Sequence, residues 1–251
     1  MKQKRGTAFL SIVIPAYNEA KRLPATLKDV DKYLRQRDYA YEILVVDDGS
    51  TDETVAVVES LRVPHLRIIK NRENRGKGYT VKNGMDKASG KYILFMDADN
   101  ASTILELEKL LPHLVSRRFE VAIGSRYKSP TFIKKRQPFY RVLLGRGGNW
   151  LIQLILLPGI NDTQCGFKLF THQAAKNIFK HQTVERFGFD IEILRIAKAL
   201  GYRIKEEPVV WRDDPNTNVR FFRDGLRTLR DLALIKGKEL SGVYGRIKNE
   251  K

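Results

Sequence analysis

Apolar runs alternate with amphipathic stretches through the first hundred residues. Phe9 to Ile14 reads as a short buried strand, stopped by Pro15, which has no N–H for a ladder hydrogen bond. Beyond a polar turn, Leu23, Leu27, Val30 and Leu34 fall on one face at helical spacing. Ile43 to Val46 predicts a second strand ending in Asp47 and Asp48, and Gly49 and Ser50 turn the chain into a helix with Val55, Val57, Val58 and Leu61. Either Thr51 with Thr54 or Ser50 with Glu53 marks the start of that helix, the second pair as a capping box. Leu66 to Ile69 predicts a third strand, residues 71–90 a Gly-rich basic turn and a helix, and Tyr92 to Met96 a fourth strand. This alternation predicts an α/β fold with a mainly parallel sheet flanked by helices.

Polar residues collect at the carboxyl ends of these strands, where open parallel sheets bind ligands. Asp97 and Asp99 stand one residue apart at the end of the fourth strand and face the same side if the chain stays extended. Both can address one cation, and hard oxygen ligands suit Mg²⁺ or Mn²⁺, with phosphate oxygens completing the shell. Taken alone, the pair reads more readily as a solvated strand end than as a metal site.

Together the motifs are more specific. Pro15–Glu19 (PAYNE), Val45–Thr54 (VVDDGSTDET), Asn74–Gly84 (NRGKGYTVKNG) and Asp97–Asp99 (DAD) resemble the inverting family 2 glycosyltransferases of GT-A fold. Gly124–Tyr127 (GSRY), Asp162–Phe170 (DTQCGFKLF) and Phe187–Leu194 (FGFDIEIL) resemble the polyprenyl-phosphate branch of that family, the dolichyl-phosphate glucosyltransferases in particular, with dolichol-phosphate mannose synthases as cousins. The resemblance covers Ser11 to Trp211.

It implies a catalytic set of Asp97, Asp99, Arg126 and Asp190. Pro15, Ala16, Tyr17 and Glu19 would hold the nucleoside of a nucleotide-sugar donor, with Glu19 and Asp47 accepting hydrogen bonds from base or ribose. Asp97 would face ribose or sugar, and Asp99, with Asp97, the metal. Lys77 is either a ligand of base or phosphates or a solvated loop charge. Tyr17 is either a stacking residue or a core tyrosine, and Asp48 a turn or cap residue. Arg126 would stabilise a phosphate. Asp162 would orient the sugar or Lys168, or make a loop contact. Asp190 and Glu192 fall where relatives with hydroxyl acceptors place a base, and Glu192 reads alternatively as a partner of Arg195. The implied reaction is inverting transfer of a hexose, glucose from UDP-glucose ahead of mannose from GDP-mannose, to a polyprenyl phosphate. A sugar-hydroxyl acceptor is the alternative, and would require Asp190 as a base.

Two departures from the branch stand out. Asn216–Thr217–Asn218–Val219 lacks the lysine expected on the acceptor side, leaving Arg212 or Arg220 to replace it. Asn100–Ala101–Ser102 follows Asp99 where mannose synthases carry Leu-Gln, so a glutamine metal contact gives way to Asn100.

Charge adds a partner. The chain has 46 Lys and Arg against 29 Asp and Glu, a formal charge of +17. Val121 to Asn161 holds no acidic residue, while its arginines and lysines interleave with Phe132, Phe139, Tyr140, Leu143, Leu144 and Trp150. A segment of this kind, about 128–158, suits the interface of an anionic membrane, or a basic helix with its apolar face in the core. Arg223 to Lys236 reads as a basic amphipathic helix lying on the membrane or back on the domain, and the last ten residues as loose. The division expected is a catalytic domain over 1–212 and an appendage over 213–251. The apolar stretch Leu151 to Ile160 is too short to span a bilayer, and Met1–Gly6 leads into no signal-peptide core. The expectation is a peripheral protein at the cytoplasmic membrane face, with a separate membrane-protein partner or a homo-oligomer left open. Cys165, the single cysteine, fits a reducing compartment and a structural role. The four histidines show no ligand spacing. A nucleic-acid-binding protein is disfavoured because the charge lies beside apolar anchors and no nucleic-acid motif is present. A non-catalytic membrane-surface scaffold on a decayed transferase fold is disfavoured by the intact Asp97/Asp99 pair.

Overall fold

The computed structural model describes residues 8–127, 147, 152–212 and 221–247. Seven strands form one sheet in the order β3-β2-β1-β4-β6-β5-β7. They are β1 (Leu10–Ala16), β2 (Tyr41–Asp47), β3 (Leu66–Lys70), β4 (Tyr92–Met96), β5 (Val121–Ser125), β6 (Phe167–Thr171) and β7 (Ile204–Pro208). Helices α1 (Leu23–Leu34), α2 (Thr54–Ser60) and α3 (Lys77–Lys87) connect the first four strands, and α4 (Leu107–Val115) leads to β5. α5 (His172–His181) and α6 (Phe189–Ala199) lie between β6 and β7, and α7 (Phe221–Leu240) and α8 (Val243–Arg246) follow. Only β6 runs against the other strands, pairing antiparallel with β4 and β5. The chain moves from β1 outward to β3 and returns on the other side to β4. The crevice at the carboxyl ends of β1 and β4 is therefore the switch point at which such sheets bind ligands.

Alternation along the strands feeds two cores. Val13, Leu44, Val46, Phe95 and Ile123 pack on one face with α3, α5 and α6. Ile12, Ile14, Ile43, Val45 and Leu94 pack on the other with α1 and α4. The α1 face reads as expected, with Leu23, Leu27, Val30 and Leu34 buried.

Three local expectations are corrected. Pro15 does not stop β1: the ladder to β4 ends at Val13 while that to β2 runs to Ala16, so proline sits beyond β4's reach. The proposed caps of α2 are not formed. Ser50 Oγ accepts from the Asn18 N–H, and Asp52 Oδ1 accepts the Thr54 N–H instead, at 3.0 Å. Nor are the last ten residues loose throughout, because Tyr244 and Ile247 are buried in the first core.

Most of the basic segment around 128–158, and Arg220, lie outside the described residues. At its end Ile152, Leu156 and Leu157 join the core while Leu154 is 67% exposed. The described half of α7 lies back on the domain through Leu232 and Ile235. No helix among the described residues is long and apolar enough to cross a membrane.

Gly84 sets how closely α3 approaches the sheet. A Cβ there would stand 2.4 Å from Val13 Cγ1 and 2.8 Å from Val46 Cγ2. Overpacking of this kind costs about 1–3 kcal/mol. Gly84→Ala should therefore lower the thermal unfolding midpoint by roughly 2–4 °C per kcal/mol lost; an unchanged midpoint would show that the helix is free to move away.

Candidate active site

The ends of β1, β2 and β4 supply the first group of side chains. Pro15 and Ala16 are buried, and Tyr17 is exposed at the strand end, so it is no core tyrosine. Glu19 grips Arg22, whose Nε donates to Oε2 at 2.7 Å. Burial raises the Glu19 pKa, Arg22 opposes the rise, and Asp99 and Asp97 add to it. Asp47 accepts the Ser50 N–H through Oδ2 at 3.1 Å, and its Oδ1 is buried with no hydrogen-bond partner among the described residues. A buried acceptor left unmatched is costly, so Asp47 is suited to a ligand's N–H or O–H. Asp48 is a turn residue, as expected: it accepts from Asn71 Nδ2, Arg75 N and Gly76 N and fixes the basic turn before α3.

That turn delivers Lys77 to Asp97. Its Nζ lies 2.7 Å from Asp97 Oδ1. Burial works against the lysine's charge, but Asp97, Asp190 and Asp99 together outweigh it and hold the pKa above its ordinary value. Lys77 is therefore no solvated loop charge. Gly166, just before β6, makes room for the pair. Its carbonyl accepts the Asp97 N–H at 3.0 Å, and a Cβ on it would fall 1.9 Å from Asp97 Oδ2. Asp99 accepts the Ala101 N–H at 3.0 Å, and its pKa is raised by burial and by Asp97. Asn100 turns away to donate to Asp29 at 2.7 Å.

Beneath this group Lys168 is fully buried, donating to the Cys165 carbonyl at 2.6 Å and to Asp190 Oδ1. Burial raises the Asp190 pKa against the opposing pull of Lys168 and Lys77. Charges thus alternate from Asp99 and Asp97 through Lys77 to Asp190 and Lys168. Cys165 is buried beside them with its thiol pushed up to about 12, so it stays protonated and serves packing.

On the β5 side Asp162 takes Arg126 rather than Lys168. Arg126 donates through Nε at 2.7 Å, Nη2 at 2.8 Å and its backbone N–H at 2.9 Å. The guanidinium centre lies 5.8 Å from the Tyr127 ring centroid and 5.6 Å from that of Trp211. Glu206 fixes the loop below, accepting from Asn161 N at 3.1 Å and Asp162 N at 2.8 Å. Arg212 is exposed at the rim, with its N–H donated to the Ala101 carbonyl.

Glu192 is not brought to the site, and its expected partnership with Arg195 does not form. Two residues apart on a helix point about 200° apart, so Asp190 and Glu192 leave α6 on opposite sides. Arg195 pairs with Glu239, while Glu192 faces Thr183, Lys238 and Tyr244. Sequence reasoning missed three contributors. Arg22 was signalled by its i,i+3 spacing from Glu19. Gly166 was signalled by its place in the Asp162–Phe170 motif, and Glu206 acts through tertiary contacts that leave no local trace.

The carboxylates fit a hard divalent cation. Asp97 raises the pKa of Asp99, both raise that of Glu19, and Lys77 bonds Asp97 alone of the three. A second cation would relieve the repulsion left at Asp99. Among the described residues no three His, Cys, Asp or Glu side chains could hold a metal ion by themselves, so ligand oxygens would have to complete the shell.

Comparison with known proteins gives this geometry a context. A model of the family described as glycosyl transferase family 2 matches residues 11–179. A dolichyl-phosphate beta-glucosyltransferase from Dictyostelium discoideum is 34% identical over 249 residues, 94% of this chain and 76% of its own length. One from Homo sapiens is 35% identical over 252 residues, 95% of this chain and 78% of its own. The fold is shared with glucosyl-3-phosphoglycerate synthase from Mycobacterium tuberculosis, solved with Mn²⁺, UDP-glucose and glycerol 3-phosphate. Its TM-score is 0.66 at 19% identity, covering 92% of this chain and 80% of that one.

The Arg126–Asp162 clamp makes a pH-dependent contribution to stability. Burial opposes the Asp162 charge, but Arg126 outweighs it and holds the carboxyl below its usual range. Stability from a depressed carboxyl is full above the unfolded value of about 3.9 and is lost as pH falls through the folded value. Asp162→Asn should cost about 1.5–3 kcal/mol at neutral pH. In urea titrations the gap to the parent should close below about pH 4; a gap that stays constant from neutral to acid pH would contradict the clamp.

Proposed function

The chain belongs to glycosyl transferase family 2 and is a glycosyltransferase, and on that footing we propose that it transfers glucose from UDP-glucose to a membrane polyprenyl phosphate with inversion. The observation that carries this reading is similarity to dolichyl-phosphate beta-glucosyltransferases along almost the whole chain, 94% and 95% of it for the Dictyostelium and human proteins. Asp190 supports it from the structure. A phosphate monoester has its second pKa near 6 and reaches neutral pH largely ionised. It can attack the anomeric carbon while the bond to the diphosphate breaks, with no proton to remove. Such an enzyme has little use for a free base, and Asp190 is bonded to buried Lys168.

Within this reading Asp47 Oδ1 and Glu19 accept hydrogen bonds from the nucleoside, and Tyr17 lies against it. Lys77 keeps Asp97 turned toward the donor. Arg126, held on Asp162 with Tyr127 and Trp211 beside it, faces the acceptor phosphate, with Arg212 at the rim and Arg220 a further candidate cation. Asp99 and Asp97 would hold Mg²⁺ or Mn²⁺, which when bound neutralises charge on the departing diphosphate. Peripheral attachment at the cytoplasmic membrane face accompanies a lipid acceptor. Exposed Leu154, Ile155, Leu234 and Leu240, with exposed Arg230, are in keeping with it.

A second reading has an observation of its own. Burial raises the Asp190 pKa, which strengthens it as a base and favours a sugar-hydroxyl acceptor. Asp190→Asn discriminates between the two. With a phosphate acceptor most of the transfer should survive, within about tenfold; with a hydroxyl acceptor loss of the base should cost about 10²–10⁴-fold while donor binding persists.

The direct test is labelling of a polyprenyl phosphate in vesicles from radiolabelled UDP-glucose or GDP-mannose, with Mg²⁺, Mn²⁺ or EDTA. Label should reach lipid from UDP-glucose alone, and EDTA should abolish it. Lipid labelled from GDP-mannose alone would replace the sugar, and undiminished labelling in EDTA would remove the metal.

A further inference from the structure

Glu192 is a fully buried carboxylate that the reaction above does not use. Five donors converge on it. Thr183 N at 2.8 Å and Val184 N at 2.7 Å donate to Oε2. Thr183 Oγ1 at 2.7 Å, Lys238 Nζ at 2.9 Å and the Tyr244 hydroxyl at 3.3 Å donate to Oε1. A buried charge with this many donors is held rigidly, and removing any donor leaves it poorly compensated.

Its two sets of partners belong to different parts of the molecule. Lys238 and Tyr244 come from the C-terminal helices, which reach α6 at two further points: Glu239 pairs with Arg195 at 2.7 Å, and Asp231 accepts the Gly188 N–H at the start of the helix. Thr183 and Val184 belong to the loop that presses on the turn bearing Lys77. Tyr79 N donates to the Glu185 carbonyl at 3.0 Å, and Gln182 Nε2 donates to the Gly78 carbonyl at 2.9 Å. The contact is so close that a Cβ on Gly78 would meet the Val184 carbonyl oxygen at 2.5 Å, and one on Gly76 the Glu185 carbonyl oxygen at 2.7 Å. An unbroken chain of bonds and packed backbone therefore runs from α7 and α8 through Glu192 and residues 182–185 to Lys77.

We infer that Glu192 is a positioning residue through which the C-terminal helices set the first turn of α3 at Gly76–Lys77–Gly78. Its effect on donor affinity rests on the reading of that turn as donor-holding. The C-terminal segment is then part of the working site's frame, although it supplies no group to the substrate. The coupling has a physical basis in backbone proximity. With no side chains at Gly76 and Gly78 to deform, a shift of residues 183–185 passes directly to the turn.

The test severs the C-terminal side and leaves Glu192 in place. Hydrogen exchange and UDP affinity are measured on the full chain carrying Lys238→Met with Tyr244→Phe, and on Lys238→Arg, which keeps a donor. In the double variant the Tyr79 amide should exchange about tenfold faster while amides of the central strands, such as Ile12 and Val45, keep the parent rate. UDP should bind about tenfold more weakly, and Lys238→Arg should stay near the parent in both measurements. Unchanged protection at Tyr79 overturns the inference whatever the donor is. Acceleration of central-strand amides as well would reduce Glu192 to a general stabiliser and overturns it too. Faster exchange at Tyr79 with unaltered UDP affinity would keep the coupling and overturn the assignment of the turn to the donor.

Discussion

Gathering carboxylates where water is scarce is the constraint around which the site is built. The Asp97 charge acts on Asp99, Glu19 and Asp190, and burial disfavours the charge of each of those three further. The protein answers with cations placed between them. Lys77 bonds Asp97 and feels Asp190 and Asp99, and Lys168 bonds Asp190 from below. Because an unpaired buried charge costs several kcal/mol, each lysine fixes the orientation of the carboxylate it touches. Pre-orientation of this kind is what a site needs if it is to meet a diphosphate without rearranging.

The sheet topology makes the arrangement possible. A wholly parallel sheet would put the neighbour of β4 at the end of a crossover. Here β6 runs antiparallel beside β4, and its entry loop arrives next to Asp97. Gly166 in that loop allows the Asp97 carboxylate to lie against backbone, and Lys168 two residues on enters the core to face Asp190. The same loop carries Asp162 to Arg126 on β5's side. One short segment, 162–168, thereby ties the carboxylates at the end of β4 to Arg126, and Glu206 anchors its start.

Much of this was legible in the sequence where local physics dominates. The strands and the α1 stripe follow from apolar spacing, and Asp97 and Asp99 stand out as carboxylates ending a wholly apolar strand. Other features depend on which segments meet. Pro15 remains in β1 because β4's ladder stops earlier, a fact of register that β1 alone does not contain. Asp162 was read with the sugar, Lys168 or a loop contact, and the geometry of β5 against the 162–168 loop gives it Arg126 instead. Glu192 was open to a better reading: once Phe187–Leu194 is taken as helical, it and Asp190 cannot serve the same pocket. Tyr244 and Ile247 were missed because isolated apolar residues in a basic tail show no periodicity, and their burial depends on a groove made by α6 and α7.

The acceptor's chemistry turns on what Asp190 is for. A general base must lose its own proton near the working pH and must touch the proton it removes. Burial moves Asp190 toward the first requirement by raising its pKa, while the Lys168 bond works against the second by occupying Oδ1 in a pocket where the residue is 3% exposed. Substrate could take Oδ1 only by breaking a buried ion pair. An acceptor already carrying negative charge imposes no such demand, and it gains from Arg126, whose guanidinium is held in place by Asp162 at two nitrogens while remaining 27% exposed at the site. The residues invested in fixing that cation outnumber those that would free a base, and this favours a phosphate over a hydroxyl as the group that attacks.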